Sequence, residues 1–124
     1  MLGKEGQLLR IFIGESDKHE GLPLYEWLVR QARQRHLAGA TVLRGLEGFG
    51  AHSRMHTAKI LRLSQDLPII VEIVDTRENI RGFLEIVDEV IEEGIATLED
   101  VDIHFYRGGT QDPGASQRPL GKSS

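Results

Sequence analysis

The segment from Gly39 to Val74 constrains the fold most, because it predicts two strands joined by a short glycine-rich turn. The first strand covers residues 40–46 and the second covers residues 59–74, with a break near residues 64–66. The turn contains Gly45, Gly48 and Gly50, followed by His52, Arg54, His56 and Lys59. Glycines expose backbone N–H groups and allow positive φ angles, so they suit a loop that folds around an anion. The sequence therefore predicts that this segment contains the functional site.

The charge distribution favours an anionic ligand at the same place. The formal net charge is −4, but residues 27–65 hold seven Lys or Arg and one acid, Glu47, a local balance of +6. The remaining residues hold eight bases and eighteen acids. An acidic chain with a basic middle is a poor candidate for wrapping nucleic acid and a better one for binding a small anion. For Arg30, Arg33 and Arg35, solvation of a helix face is an equally good explanation.

The composition excludes several kinds of site. The chain has no cysteine, which excludes disulfides, cysteine-type zinc sites and thiol nucleophiles. No apolar run reaches the length needed to span a bilayer, and the first residues lack the apolar region of a signal peptide. No Ser-His-Asp spacing or nucleophile elbow suggests an enzyme. We therefore expect a cytoplasmic protein without catalytic residues.

Hydrophobic periodicity predicts the remaining elements. Residues 8–14 form a first strand, and a first helix begins near Pro23, carries Leu24, Leu28 and Ala32 on its apolar stripe and ends at Gly39. A second helix begins after a cap at Asp75 or Thr76, carries an apolar stripe of Ile80, Phe83, Leu84, Val87, Val90 and Ile91, and ends at Gly94. Val101, Ile103 and Phe105 alternate with Asp102, His104 and Tyr106 as the last strand.

This order predicts an α+β fold, a ferredoxin-like βαββαβ sandwich with an antiparallel sheet and two helices on one face. Residues 1–109 are expected to form this domain. Residues 110–124 are rich in Gly, Pro, Ser and Gln, so we expect a disordered C-terminal tail. The first strand and residues 69–74 are apolar on both faces, which indicates that further copies of the chain cover the face without helices.

Two other functions were weighed from the residues. His52 and His56 would align as metal ligands on a helix, but the glycines before them disfavour a helix there. His104 is a candidate third ligand, although a surface or core histidine explains it better. Phe12 is a candidate for stacking on an RNA base, but residues 69–74 offer no aromatic partner, so RNA binding is disfavoured.

Several short motifs together resemble the PII signalling proteins. They are Gly39-Ala-Thr41-Val42 opening the second strand, Gly48-Phe49-Gly50 closing it, Leu67-Pro68 followed by Glu72-Ile73-Val74, and Arg107-Gly108-Gly109 after the last strand. The chain is more similar still to the PII-like group called domain of unknown function 190. Arg-Gly-x-x-Gly-Phe-Gly followed by His-x-x-x-His is typical of that group. The resemblance covers residues 7 to 109.

The resemblance implies a nitrogen regulatory-like homotrimer, with its sheets packed inward and an adenine nucleotide in each cleft between subunits. Gly39 and Thr41 would lie near the base, and Arg107 would meet a phosphate. Gly48, Phe49 and Gly50 would line the cleft from the neighbouring subunit. Beside Arg107, the backbone N–H groups of Gly108 and Gly109 are candidates to hold the phosphate, and Arg54 and Lys59 are candidates to replace positive charge that PII proteins have and this chain lacks. Such a protein signals through residues 51–57 to a client protein, for which a membrane transporter or channel is one candidate.

Departures from the PII pattern favour AMP or ADP over magnesium-bound ATP, with no tightly bound metal. The turn is shorter than a PII T-loop and lacks its tyrosine, Ile70 replaces a strand lysine, and residues 93–98 lack the Gly-Asp-Gly-Lys phosphate loop. The alternative is a CutA-like divalent metal-binding trimer that uses His52 and His56. A small hydrolase such as an acylphosphatase shares the fold, but no catalytic group can be identified for it.

Overall fold

The structure, a computed structural model, describes residues 5–49, 55–57 and 67–108 of the chain. In chain order, its elements are β1 (Glu5–Gly14), β2 (Lys18–His19), β3 (Leu22–Pro23), α1 (Leu24–Gln34), β4 (Thr41–Arg44), β5 (Glu47–Phe49), β6 (Met55–Thr57), β7 (Pro68–Asp75), α2 (Arg77–Val90) and β8 (Ile95–Asp102). Four of the strands form one antiparallel sheet in the order β4-β7-β1-β8. This is the split βαβ arrangement, so the predicted α+β, ferredoxin-like fold is confirmed. In the part of the chain that is described, neither helix is long and apolar enough to cross a membrane.

The core lies between one face of the sheet and the two helices. Alternate residues of β1 and β7 point toward the helices, as expected for strands with a period of two. The core residues are Leu9, Ile11 and Ile13 of β1, Ile69, Val71 and Ile73 of β7, Leu24, Leu28 and Ala32 of α1, and Ile80, Phe83 and Val87 of α2. Each is at most 5% exposed. The predicted apolar stripes therefore identify the inward faces of both helices.

A small hairpin of β2 and β3 lies between β1 and α1. β2 and β3 pair through a two-residue turn in which Glu20 and Gly21 both have positive φ angles, 52° and 81°. Such turns match the natural twist of a hairpin. The edge of the His19 ring meets Trp27 of α1 at 4.4 Å between centroids, and Trp27 Nε1 donates to Glu20 Oε1 at 3.3 Å. The hairpin is thereby packed against α1.

The first helix ends earlier than predicted. It stops at Gln34, and His36 rather than Gly39 adopts the left-handed conformation, with φ 62°. Leu37 N donates to Ala32 O, and His36 N donates to Arg33 O, both at 3.0 Å. These two bonds form the Schellman arrangement that closes many helices. Gly39 is therefore left in the segment that leads into β4.

The last strand was predicted too late in the chain. β8 spans Ile95–Asp102 and pairs with β1, whereas residues 103–108 follow it as an irregular segment. The strand lies at the sheet edge, where most of its side chains are exposed, so its hydrophobic alternation is weak. Gly94 also does not end α2, which stops at Val90; it turns the chain into β8 with φ 151°. A Cβ at Gly94 would lie 2.5 Å from the Phe12 carbonyl oxygen, so the turn requires glycine.

Candidate functional site

The sheet face opposite the helices carries an apolar row across all four strands. The strand register places Phe12 of β1 between Ile70 of β7 and Ile95 of β8, and Leu43 of β4 lies beside Ile70. We call this surface the open face. Leu43 is 44% exposed and Ile95 is 63% exposed. A single chain therefore leaves a strip of large apolar side chains in contact with water, which is uncommon unless another molecule covers it.

A polar row lies next to the apolar one on the open face. Arg10 bonds through Nε to Glu72 Oε2 at 2.9 Å and through Nη1 to Glu99 Oε1 at 2.8 Å. The hydrogen bond that Arg10 donates to Glu72 raises the pKa of Arg10 above its usual value. Desolvation opposes this increase, and the negative charge of Glu99 adds to it. Thr41, at the start of β4, pairs with Glu72 in the register of the sheet. The predicted ligand residue Thr41 is thus at the polar edge of the open face.

The segment between α1 and β4, which contains Gly39, is fixed through the peptide groups of Ala38. Ala38 N donates to Asp75 Oδ2 at 2.8 Å, and Ala38 O accepts a hydrogen bond from the Tyr106 hydroxyl at 3.2 Å. Asp75 is fully buried at the end of β7. Its Oδ1 also accepts from Thr76 N at 2.6 Å and from Asn79 Nδ2 at 3.0 Å. The backbone just before Gly39 is therefore hydrogen-bonded to Asp75, next to the start of α2, and to Tyr106, after β8.

Residues 103–108, which we call the C-terminal strap, contain the predicted phosphate ligand Arg107. The Arg107 guanidinium carbon lies 4.2 Å from the centroid of the Phe105 ring. Stacking of this kind is favourable and restricts the orientation of the guanidinium. Tyr106 directly precedes Arg107, and its bond to Ala38 O links the strap to the residue before Gly39. Two distant parts of the chain that carry predicted ligand residues are therefore connected by one hydrogen bond.

The predicted residues Gly48 and Phe49 lie in a different place. They belong to β5, which pairs with β6 so that Gly48 faces His56 and Phe49 faces Met55. This two-stranded ribbon begins beyond Arg44, at the other end of β4 from Thr41. Three residues of strand separate those two ends by about 10 Å. Along β4, Gly48 and Phe49 therefore follow the end of the strand that is opposite to Thr41.

The base of the ribbon is held tightly to the sheet. Arg44 forms an ion pair with Glu15, and Gly45 N donates to Pro68 O at 2.7 Å. A Cβ at Gly45 would lie 2.7 Å from Pro68 Cγ, so this close approach requires glycine. The first glycine of the predicted turn therefore serves the contact between β4 and β7.

Most of the other predicted site residues lie outside the described part of the chain. Gly50, His52, Arg54, Lys59 and Gly109 lie outside the described residues, as do most of residues 51–57 and the whole of the predicted tail, residues 110–124. His104 is exposed, with its ring 5.6 Å from that of Phe105. Over residues 5–49, 55–57 and 67–108, no three side chains of metal-binding type are grouped to hold a metal ion.

Sequence reasoning missed the residues that position the site. Asp75 was interpreted only as a helix cap, and Thr76 fills that role, since its hydroxyl accepts from Asn79 N at 3.2 Å. Tyr106 was interpreted as the polar side of a strand. The available signal for Asp75 was an acid that ends an apolar strand, because an acid at such a position is satisfied by several hydrogen bonds when it is buried.

Comparison with known sequences identifies relatives over most of the chain. The model of the DUF190 family, described as an uncharacterized ACR, matches residues 6–103. A UPF0166 protein of Aquifex aeolicus is 41% identical over 99 residues, which cover 80% of this chain and 93% of that protein. A UPF0166 protein of Methanocaldococcus jannaschii is 36% identical over 107 residues, which cover 86% of this chain and 96% of that protein.

Comparison with solved structures identifies the same fold in CPII, a nitrogen regulatory PII-like protein from Thiomonas intermedia. The structure of CPII bound to ADP, AMP and bicarbonate superimposes with a TM-score of 0.61 at 20% identity, over 80% of this chain and 88% of CPII. The structure of CPII bound to ADP and bicarbonate gives a TM-score of 0.54 over the same shares of the two chains. At this identity the similarity establishes the fold.

Proposed function

Because the chain belongs to the DUF190 family and has the fold of a PII-like protein, we propose that it is a regulatory protein that binds an adenine nucleotide. AMP or ADP is favoured over magnesium-bound ATP, since the chain lacks the lysine and the phosphate loop that PII proteins use. The nucleotides bound to CPII support this choice of ligand. The protein would act as a regulator and not as an enzyme.

The observation that carries the proposal is the junction at Ala38. Ala38 directly precedes Gly39, and its N–H group donates a hydrogen bond to Asp75. Its carbonyl oxygen accepts a hydrogen bond from Tyr106, which directly precedes Arg107 in the strap. A base contact at Gly39 and Thr41 and a phosphate contact at Arg107 would then belong to one ligand. The guanidinium is suited to phosphate because it presents several donors in a planar fork.

A homotrimer accounts for the two features that a single chain leaves incomplete. The apolar row of the open face would be covered by the sheets of two other subunits. Gly48 and Phe49, separated from Thr41 within one chain, would reach the nucleotide from a neighbouring subunit. The clefts between subunits are thus the proposed nucleotide sites, with Gly50, Arg54, Lys59 and Gly109 as further proposed contacts.

The proposed output is a change in residues 51–57, which follow β5 after Gly50 and include β6. A ligand at Gly48 and Phe49 would contact the base of this segment, so its occupancy could be transmitted to a client protein. We propose residues 1–109 as the PII-like domain and residues 110–124 as a separate tail. The client is unidentified, and a membrane transporter or channel is one candidate.

Calorimetric titration tests the proposed ligand class. Purified protein is titrated with AMP, ADP and magnesium-bound ATP, each with and without bicarbonate, and with zinc and copper as separate metal titrants. We expect saturable heat with AMP or ADP and a weaker response with magnesium-bound ATP. Heat with zinc or copper and none with any nucleotide would instead favour the CutA-like alternative, for which His52 and His56 are the proposed ligands.

Replacement of Arg107 tests the proposed phosphate contact. A hydrogen bond to a charged group contributes about 1.5–3 kcal/mol, so Arg107→Ala is expected to weaken AMP or ADP binding roughly 10- to 100-fold. Arg107→Lys is expected to recover only part of the loss, because a point charge replaces a planar fork. Arg81→Ala, which removes an exposed arginine of α2, is the control and should bind like the parent. Equal affinity of Arg107→Ala and the parent would move the phosphate assignment to Arg54 or Lys59.

A further inference from the structure

The C-terminal strap is attached to the rest of the molecule by two side-chain contacts. At its start, Ile103 lies directly on the backbone of β1, since a Cβ at Gly6 would be only 2.7 Å from Ile103 Cδ1. Near its end, the Tyr106 hydroxyl donates to Ala38 O at 3.2 Å. Between these contacts Phe105 is 61% exposed. The strap is therefore held at two points instead of being paired as a strand.

The two sides of the Ala38 junction differ in rigidity. On one side, Ala38 N bonds to a carboxylate that is fully buried and accepts three hydrogen bonds in all. On the other side, a single hydroxyl group on an irregular segment bonds to Ala38 O. Networks of buried, satisfied polar groups are rigid, whereas segments with few contacts open readily. Any movement at this junction is therefore expected in the strap and not in the segment before Gly39.

We propose that Tyr106 is a positioning residue, whose bond to Ala38 sets the place of Arg107 relative to Gly39 and Thr41 and couples strap docking to nucleotide binding. This inference rests on the proposed function. A nucleotide that contacts both Gly39 and Arg107 binds better when the strap is docked. By reciprocity, its presence must favour the docked strap by the same factor. The strap is then a second output of the site, separate from residues 51–57 and continuous with the C-terminal residues.

Tyr106→Phe removes one oxygen atom and keeps the ring, so it isolates the hydroxyl contact. AMP and ADP affinities are expected to fall roughly two- to tenfold, the factor associated with one net hydrogen bond. The control is Tyr25→Phe, which makes the same change on α1 at the chain's other tyrosine. Both variants should keep the oligomeric mass of the parent, measured by light scattering.

Amide hydrogen exchange of residues 103–108 supplies a readout that a purely structural role would not change. In the parent and in Tyr25→Phe, saturating AMP or ADP is expected to slow exchange across the strap. In Tyr106→Phe, the strap should exchange faster without ligand and gain less protection when the nucleotide sites are equally saturated. A loss of stability alone would not alter the protection that the ligand adds.

Two results would overturn the inference, and the experiment distinguishes one from the other. If the parent binds AMP or ADP and Tyr106→Phe shows the same affinity and the same ligand-dependent protection, the coupling is wrong while the proposed function stands. If the parent binds no adenine nucleotide, the proposed function fails and the inference fails with it. Weaker binding together with reduced ligand-dependent protection in Tyr106→Phe alone supports the proposal.

Discussion

Phe12→Asp is expected to convert the proposed trimer into folded monomers at micromolar concentration. Phe12 lies in the middle of the apolar row on the open face, between Ile70 and Ile95. An aspartate there would be buried at the proposed subunit interface without a cation assigned to it. Burial of an unpaired charge costs several kcal/mol for each ion, and a trimer would bury three. Light scattering should give one third of the parent mass.

The matched control is Phe12→Leu, which keeps an apolar side chain at the same place. It should remain a trimer, because volume and polarity change little. Circular dichroism distinguishes dissociation from unfolding, since Phe12 points away from the core between the sheet and the helices. A parent protein that is monomeric, or a Phe12→Asp variant with the parent's mass, would contradict the proposed use of the open face.

Asp75→Ala is expected to lower the free energy of unfolding by about 2–6 kcal/mol, the range for two amide donors that lose their buried acceptor. The carboxylate is fully buried, and its removal leaves the Ala38 and Thr76 amides without their acceptor. Each buried donor left unsatisfied costs about 1–3 kcal/mol. Denaturant unfolding followed by circular dichroism measures the change. Asp88→Ala, at an exposed position of α2, should stay within about 0.5 kcal/mol of the parent.

Asp75→Asn separates the two tasks of this carboxylate. An amide oxygen in the Oδ1 position can still accept from Thr76 N and Asn79 Nδ2, which preserves the start of α2. The amide nitrogen would then face Ala38 N, so two donors would meet and the Ala38 bond would be lost. We expect a smaller loss of stability than for Asp75→Ala, together with weaker AMP or ADP binding. Parent-like affinity in Asp75→Asn would show that the Ala38 bond does not affect the ligand site.

The fold was predictable because its signals are local and periodic. The apolar runs of β1 and β7 identify these segments as strands, and the helical spacing of Leu24, Leu28 and Ala32 reports which side of α1 faces the core. The helix ends were predicted less well, because glycines are the usual terminators and His36 takes that role here. The position of β8 was missed because an edge strand is mostly exposed, which removes the alternation that would identify it.

The candidate site was predictable only in part. The motifs with Gly39, Thr41 and Arg107 could be proposed from residue patterns. The contacts that unite them join residues far apart in sequence, such as Tyr106 with Ala38 and Asp75 with Ala38. No local pattern encodes a hydrogen bond from a side chain to a distant carbonyl group. Tertiary structure was therefore needed to show that Asp75 holds Ala38 and is not merely a candidate helix cap.

The ribbon of β5 and β6 has a consequence for how such a protein can diversify. The core residues come from β1, α1, β7 and α2, while β5 and β6 pair with each other as a separate two-stranded sheet. The entropy cost of a longer connection grows slowly with its length. Insertions or deletions between β5 and β6 would therefore leave the free energy of folding almost unchanged. The sequence and length of this segment could therefore change during evolution to suit a new client protein, while the fold of the rest of the domain stays the same.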